Sequence, residues 1–198
     1  MRINRKLNIV FPVDTEEHGT IHVHSTPISR EVFERHFLVI SKTFAALYAE
    51  GLTVLAGPRV AAMMLRRVAE NTARGDGSNE WNAVDGIERA LMPEMRRLTN
   101  VLIPSPTGYE VLPYQEVVTR RMIDPDDMSE VEGVLAFFTV ASSMHRADAL
   151  VGILAGLNSL WAVQTTSQSC TEYRDSLQIS TQEESTGEME EITSSLPS

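Results

Sequence analysis

The sequence predicts a mainly α-helical domain that begins with a β-hairpin and is followed by a disordered acidic tail. Apolar residues recur at helical spacing through residues 1–165 of the 198-residue chain, after a short alternating pattern near the N-terminus. From Gln168 to Ser198 the chain is rich in Ser, Thr, Gln and Glu and has few apolar residues to bury. We therefore divide the chain into a mostly helical domain with an N-terminal hairpin, residues 1–165, and a disordered tail, residues 166–198.

The charge and the hydropathy of the chain argue against nucleic acids and membranes as partners. The formal charge at pH 7 is −10, from 27 acidic and 17 basic residues. The predicted tail has seven acids and one base, Arg174, and the helical domain is also acidic, so neither part has the basic excess of a nucleic-acid-binding protein. The most apolar stretch, Ala147 to Val163, is interrupted by polar residues and falls short of the roughly 20 apolar residues that span a bilayer. We expect a soluble protein with neither a nucleic-acid nor a membrane partner.

Two short strands are predicted near the N-terminus. Leu7 to Val13 and Thr20 to Ser25 alternate apolar with polar residues, and residues 14–19 between them favour a turn. Pro12 lacks the backbone N–H that a strand residue donates, so we expect the first strand at a sheet edge. Because an isolated hairpin is marginal in water, it must pack on the helices or pair with another subunit.

The first and strongest predicted helix is capped by Ser29 and ends at Gly51. Its large apolar side chains share one stripe at helical spacing: Phe33, Phe37, Ile40, Phe44 and Leu47. Burial of each such side chain contributes about 1.5–3 kcal/mol. We therefore expect this helix at the centre of the core.

Two further helices are predicted in the middle of the domain. One runs from about Pro58 to Ala73 and presents an apolar stripe. The other begins near Glu80, and its stripe continues to Leu102. Pro93 must kink or restart this helix, because proline removes a helical hydrogen bond.

The last part of the domain returns to helix after an interruption. Tyr109 to Leu112 favours a short extended piece, and Pro113 to Met122 favours a short helix. Asp124 then caps the final predicted helix, and the acids that follow it lie at the positive end of the helix dipole. We expect this helix to reach Asn158, with or without a break near His145.

Histidines on the second strand form the only metal-binding pattern in the sequence. His22 and His24 share one face of the strand, because side chains alternate with period two. A His-x-His pair can bind zinc, but the spacing signals no third ligand. We favour a polar strand face directed at solvent or a partner. A metal-dependent enzyme that uses His22, His24 and His36 is the alternative hypothesis.

Arginine pairs and one glycine pair suggest surfaces for anions or for other helices. The arginine pairs are Arg66-Arg67, Arg96-Arg97 and Arg120-Arg121. They could bind the acidic tail or an acidic partner, but ion pairs along solvated helix faces, such as Arg66 with Glu70, are the favoured interpretation. Gly152 and Gly156 permit close approach of another helix, and we favour packing within the domain over a subunit contact.

No catalytic motif is predicted. Ser105, Ser142 and Ser143 lack the Gly-x-Ser-x-Gly context of a nucleophile, and the sequence has neither a P-loop nor a dinucleotide-binding glycine pattern. Cys170, the only cysteine, lies in the predicted tail and fits a reducing cytoplasm, with no disulfide or Cys-based zinc site. We predict no enzyme activity, no cofactor, and no catalytic, cofactor-binding or metal-binding residues.

Three stretches in the C-terminal half carry a resemblance to a known family: Ser129–Thr139, Leu154–Trp161 and Thr165–Thr171. Together with the plan of a small helical body and an acidic extension, they are similar to tail assembly chaperones of long-tailed bacteriophages. The resemblance implies a non-enzymatic protein of the host cell cytoplasm that binds the tape-measure protein before the tail tube polymerises around it. It also implies recruitment of the tail tube protein, and it leaves a homo-oligomer open.

Three hypotheses of function result from these patterns. The leading one is a tail assembly chaperone, because a helical body can offer a groove to the apolar stripe of a helical client, and an acidic tail adds solubility. The second is a structural virion component, such as a tail-completion or connector subunit, whose hairpin pairs edge to edge in a ring. The third is the metal-dependent enzyme with the N-terminal histidines.

Overall fold

A computed structural model describes residues 7–52, 56–75 and 80–177 of the chain. In this part of the chain, a five-stranded antiparallel sheet is combined with helices, so the fold is mixed α/β. The prediction of a mainly α domain with a single N-terminal hairpin is therefore wrong. The predicted hairpin does form, but further strands extend the sheet on both sides of it.

The sheet has the strand order β4-β3-β2-β1-β5, in which all neighbours are antiparallel. The strands are β1 (Asn8–Thr15), β2 (Gly19–Ser25), β3 (Thr99–Ser105), β4 (Gly108–Pro113) and β5 (Gln164–Thr166). Strand β5 pairs with β1 only as far as Val10. The prediction that the first strand lies at a sheet edge is therefore wrong, because β1 has β2 on one side and β5 on the other. Pro12 itself lies beyond the end of β5, where β1 has no second neighbour among the described strands and the missing N–H is tolerated.

Helices connect and cover the strands. They are α1 (Arg30–Arg35), α2 (Phe37–Ala49), α3 (Gly57–Gly75), α4 (Val84–Gly86), α5 (Met92–Arg97), α6 (Tyr114–Thr119), α7 (Pro125–Met144), α8 (Ala147–Trp161) and α9, residues 170–177. A 3-10 turn at Glu80–Asn82 precedes α4, and a π-helical turn at Ile87–Leu91 joins α4 to α5. No helix in the described ranges is long and apolar enough to cross a membrane.

Local capping chemistry sets several helix boundaries as predicted. The Ser29 hydroxyl accepts a hydrogen bond from Val32 N at 3.3 Å, and the Asp124 carboxylate accepts one from Asp126 N at 2.8 Å. Gly51 ends the α2 region with a φ of +66°, a conformation that glycine adopts without strain. The predicted first helix is nevertheless divided into α1 and α2 at His36.

The centre of the core is α7 instead of the predicted first helix. Every residue from Val131 to Ala141 is buried, and α7 packs against α2, α3, α5 and α8. On another side, Val131 and Val134 line a small pocket together with Phe11 and Val13 of β1. Helix α3 crosses α7 closely: a Cβ on Gly133 would lie 2.1 Å from the Pro58 carbonyl oxygen. Glycine at this position therefore permits the backbone approach of the two helices.

The third predicted helix is also too long. It ends at Arg97, and residues up to Ser105 form β3. Val101 pairs with Val23 of β2, and the alternating apolar side chains of β3 enter the core with those of β1 and β2. Leu98 and Leu102 are spaced so that they would share one face of a helix and also one face of a strand. Pairing with β2 decides between the two, and the segment forms a strand.

Part of the predicted disordered tail is ordered. The predicted boundary between residues 165 and 166 falls inside β5, and the chain continues through a turn into α9. Ser169 and Glu172 cap α9 reciprocally: Ser169 N donates to Glu172 Oε2 at 2.7 Å, and Glu172 N donates to Ser169 Oγ at 3.3 Å. The rest of the predicted tail, residues 178–198, lies outside the described residues.

Candidate functional site

Four aromatic side chains of α1 and α2 form a surface that we call the aromatic surface: Phe33, Phe37, Phe44 and Tyr48. Phe37 is 51% exposed and Tyr48 is 44% exposed, whereas the other two are partly buried. The rings pack edge to face in the Phe33–Phe37 pair, with centroids 5.6 Å apart, and at a tilt in the Phe44–Tyr48 pair, with centroids 4.3 Å apart. Large exposed aromatic groups in contact with each other are typical of interaction surfaces.

The position of these residues on α2 follows from helical geometry. The core-facing side of α2 consists of Val39, Ile40, Thr43 and Leu47. Phe37, Phe44 and Tyr48 are spaced seven and four residues apart, so they share a different side of the helix. The prediction that Phe37 belongs to a core stripe is therefore wrong, although Ile40 and Leu47 are buried as predicted.

A buried histidine fixes the junction between α1 and α2. His36 is 1% exposed, and its Nδ1 lies 2.8 Å from the Trp81 carbonyl oxygen, which accepts its hydrogen bond. Burial lowers the pKa of His36, and the hydrogen bond to Trp81 opposes this shift in part. The Arg35 guanidinium lies 4.9 Å from the centre of the Trp81 ring, as a cation–π contact. The hydrogen bond of His36 and the cation–π contact of Arg35 both involve Trp81, and together they set the orientation of α2.

Helix α2, which carries three of the four residues of the aromatic surface, has little charge. Among the 13 residues of α2, Lys42 is the only charged one. A solvent-facing helix usually carries several charges on its outer side. The composition of α2 therefore suits a helix that is covered by a partner.

A cavity of about 280 Å³ adjoins the aromatic surface. Its walls come from the start of β1, from α1, and from the junction of α7 with α8: Leu7, Pro27, Ile28, Ser29, Arg30, Phe33, Ser142, Ser143, His145, Arg146, Ala147 and Leu150. Phe33 belongs to both features, and the His145 ring lies 4.9 Å from the Phe44 ring. Apolar walls with a polar rim can accept a side chain that projects from a helix lying on the aromatic surface.

The three histidines of the alternative metal-site hypothesis are not brought together. His22 and His24 lie on the sheet face beneath α9, whereas His36 lies at the α1–α2 junction against Trp81. In the described ranges, no group of three His, Cys, Asp or Glu side chains is placed to hold a metal ion. His24 is 1% exposed, so its prediction as a solvent-facing or partner-facing residue is wrong.

Four of the six arginines in the three pairs form ion pairs within the domain. The observed ion pairs are Arg66–Glu88, Arg96–Glu132, Arg97–Glu94 and Arg120–Glu116. Ion pairing was the favoured interpretation, but Arg66 binds Glu88 on another helical segment instead of Glu70. These arginines therefore offer less free positive charge to an acidic partner than their spacing suggests.

The glycine pair and the serines do not form a site. A Cβ on Gly152 would meet no atom within 4 Å, so no close helix approach occurs there, and the side-chain environment of Gly156 lies outside the description. The Ser105 hydroxyl donates to the Gly108 carbonyl at 3.1 Å, and the Ser142 hydroxyl donates to the Thr139 carbonyl at 3.4 Å. Both hydroxyls thus satisfy local backbone groups.

No protein-family model, curated protein sequence or solved structure matches this chain. The function has to be inferred from the chain's own residues.

The aromatic surface was missed in the sequence because its residues fit a core stripe. Helix α2 carries apolar residues on almost its whole circumference, and that composition could have indicated a second, partner-facing side.

Proposed function

We propose that this chain is a non-enzymatic bacteriophage tail assembly chaperone that binds the tape-measure protein and assists tail tube assembly in the host cell cytoplasm. The observation that carries the proposal is the aromatic surface, which lies mostly on the nearly uncharged helix α2 and adjoins a cavity. The stretches that resemble the family support it from the sequence. They lie in α7, in α8 and in the segment from β5 to α9.

The surface suits an elongated helical client. A client helix with an apolar stripe would cover Phe37 and Tyr48 and place a side chain in the adjoining cavity. Each square ångström of apolar area removed from water contributes about 25 cal/mol, so covering exposed rings gives a substantial driving force. The net charge of −10 keeps complexes of chaperone and client apart in solution. The tail tube protein would then join this complex.

A structural virion role has less support from the strand arrangement. In that hypothesis, the N-terminal hairpin pairs edge to edge with neighbouring subunits. Strand β2 is already paired with β3, and β1 is paired with β5 from Asn8 to Val10. Ring formation through the hairpin would need the sheet to open, or would be limited to the end of β1 that carries Pro12.

Co-expression with the tape-measure protein tests the proposal. Affinity purification of the chain should retain the tape-measure protein. The double variant Phe37→Ser, Tyr48→Ser should reduce its recovery about tenfold or more, because buried aromatic anchors dominate such interfaces. The matched control is Met63→Ser on α3, which removes an apolar side chain that is 61% exposed and lies outside the aromatic surface.

Two outcomes would contradict the proposal. One is failure of the wild-type chain to retain the tape-measure protein when both are soluble and folded. The other is recovery of the chain as a stoichiometric component of purified virions, which would favour the structural role. If Met63→Ser reduces recovery of the tape-measure protein as much as the double variant does, binding is not confined to the aromatic surface.

A further inference from the structure

Residues 164–177 form a segment that we call the C-terminal strap: β5, the turn after it, and α9. Beyond β5, the turn and α9 lie over the sheet face that carries His22 and His24, the face away from the main core. The strap is anchored at the Gln168 carbonyl oxygen, which accepts a hydrogen bond from Asn8 Nδ2 at 2.8 Å and lies 3.1 Å from His24 Nε2. Because the carbonyl is an acceptor, the His24 contact needs a proton on Nε2.

This tautomer leaves the second ring nitrogen of His24 unprotonated. His24 Nδ1 is buried, and in the described part of the chain neither the strap nor a neighbouring strand gives it a partner; the backbone of His24 itself is the acceptor within reach. A proton added to Nδ1 would create a buried cation, which is costly away from water. The neutral imidazole therefore fits the closed strap, and the imidazolium does not.

His22 lies beside His24 on the same sheet face. Its ring centroid is 6.1 Å from that of Tyr173 on α9 and 5.7 Å from that of Tyr109 on β4. Tyr173 also lies 6.5 Å from His24, so one tyrosine of the strap covers both histidines. Burial lowers the pKa of each histidine from its ordinary 6.5, although the Gln168 carbonyl partly opposes the shift for His24.

In the described part of the chain, the carboxylates near His22 and His24 are engaged by other groups. Helix α9 carries Cys170, Glu172, Tyr173, Arg174 and Asp175, and β4 brings Tyr109 to the two histidines. The Glu172 carboxylate accepts a hydrogen bond from the Ser169 hydroxyl at 2.9 Å. The Arg174 guanidinium is paired with Asp175 at 2.7 Å. On β1, the carboxylate on this face belongs to Asp14, which accepts a hydrogen bond from the Thr20 hydroxyl at 2.6 Å. On β3, Asn100 is the residue paired with His24, and it is uncharged.

Apolar side chains lie beneath the strap. Val10 is 1% exposed and Leu102 is 0% exposed, and both share the sheet face of His22 and His24. Neither belongs to the main core on the α7 side. Displacement of α9 from this face, with β5 still paired to β1, would expose these two apolar side chains.

We propose that His22 and His24 latch the C-terminal strap to the sheet, and that their protonation releases it. Each released histidine takes up one proton from solvent, and the anchor at Gln168 is lost. The strap is fully held above the ordinary histidine pKa and loosens as the pH falls through 6.5, because the released state binds more protons. Each histidine increases the release equilibrium by up to about tenfold per pH unit below that point.

Hydrogen–deuterium exchange of the wild-type chain at pH 7.5 and pH 5.5 tests the proposal. After correction for intrinsic exchange rates, protection of residues 170–177 should fall by up to about 100-fold relative to that of α7, since two histidines contribute. Unchanged relative protection of the strap would overturn the latch. An equal loss of protection in α7 would also overturn it, because the effect would then be global unfolding.

Variants assign the effect to the two rings. His24→Gln keeps a donor for the Gln168 carbonyl and cannot be protonated. In this variant, the loss of strap protection between pH 7.5 and pH 5.5 should fall to about tenfold. In the double variant that also carries His22→Gln, the loss of protection should vanish. His18→Gln, in the β1–β2 turn, is the matched control and should keep the full change. A double variant that still releases the strap in acid would overturn the assignment. If it fails to fold, the wild-type exchange result decides.

Discussion

The Glu132 carboxylate on α7 accepts two hydrogen bonds from the Arg96 guanidinium on α5, at 3.0 Å from Nε and 2.5 Å from Nη2. The Glu132 side chain is 11% exposed, so this pair lies at the margin of the core. Tyr114 lies close enough for the Glu132 charge to raise the pKa of its hydroxyl, although burial is the larger cause. The pair joins the central helix to the segment that leads into β3.

We expect Glu132→Ala to lower the free energy of unfolding by about 3 kcal/mol, because it leaves the Arg96 charge without its partner in a partly dry site. The matched control is Glu116→Ala, which removes the partner of Arg120 in an exposed pair on α6 and should cost about 1 kcal/mol or less. Urea denaturation of both variants measures the difference. Similar losses in the two variants would show that the Glu132 pair is no stronger than a surface pair.

Two glycine substitutions should have opposite effects. Gly133→Ala places a methyl group 2.1 Å from the Pro58 carbonyl, so α3 and α7 must separate, at a cost of about 2–3 kcal/mol. Gly152→Ala meets no atom within 4 Å and should stabilise α8 by roughly 0.5–1 kcal/mol through helix propensity. Thermal or urea unfolding checks both. Destabilisation by Gly152→Ala would mean that α8 packs against a partner at this position.

Alanine substitutions within α2 should distinguish its core-facing side from its exposed side by their effect on stability. Leu47→Ala should cost about 2–5 kcal/mol of unfolding free energy, because this side chain is 1% exposed and its removal leaves a cavity. Phe37→Ala should cost about 1 kcal/mol or less, because half of its surface is already in water. Urea denaturation distinguishes the two. A large loss for Phe37→Ala would place it in the core, as its sequence spacing alone predicts.

Acid should weaken the fold at the α1–α2 junction. The pKa of His36 is lowered by burial, so the unfolded chain binds more protons, and stability falls as the pH drops through 6.5. His36→Asn retains a donor near the Trp81 carbonyl and cannot titrate. Between pH 6.5 and 5.5, the free energy of unfolding should fall less steeply in this variant than in the wild type, by up to about 1.4 kcal/mol per pH unit. Identical slopes for the two proteins would exclude His36 as a source of the acid effect.

The Cys170 thiol reports on the order of the strap. Burial raises the pKa of Cys170 to about 11. Alkylation by iodoacetamide at pH 8 should therefore be slower than in the urea-unfolded chain by up to about 100-fold, since the thiolate is the reactive form. Mass spectrometry of the time course measures both rates. Equal rates would indicate that the strap is not held on the sheet under these conditions.

Local chemistry explains which features were predictable. Ser29, Asp124 and Gly51 act on the backbone within a few residues, so capping and helix ends follow from the sequence alone. The β1–β2 hairpin likewise joins residues close in the chain. The ion pairing of the arginines was predictable in kind, but the partner of Arg66 lies 22 residues away and depends on helix packing.

Long-range pairing decides the features that were not predictable. The predicted helix stripe continues to Leu102, but the apolar residues at the start of β3 also fit a strand, and pairing of Val101 with Val23 across the sheet selects the strand. Phe37 fits the core stripe, but α3 and α7 occupy the opposite side of α2, which leaves its ring exposed.

The strap shows the same limit most clearly. Its capping sequence, Ser169 to Glu172, is visible locally, but its apolar content is too low to predict order. Its order arises from the contacts of Gln168 with Asn8 and His24, which are 160 and 144 residues distant along the chain. A sequence pattern specifies which local structures are favourable, whereas burial against a distant surface determines which of them the chain adopts.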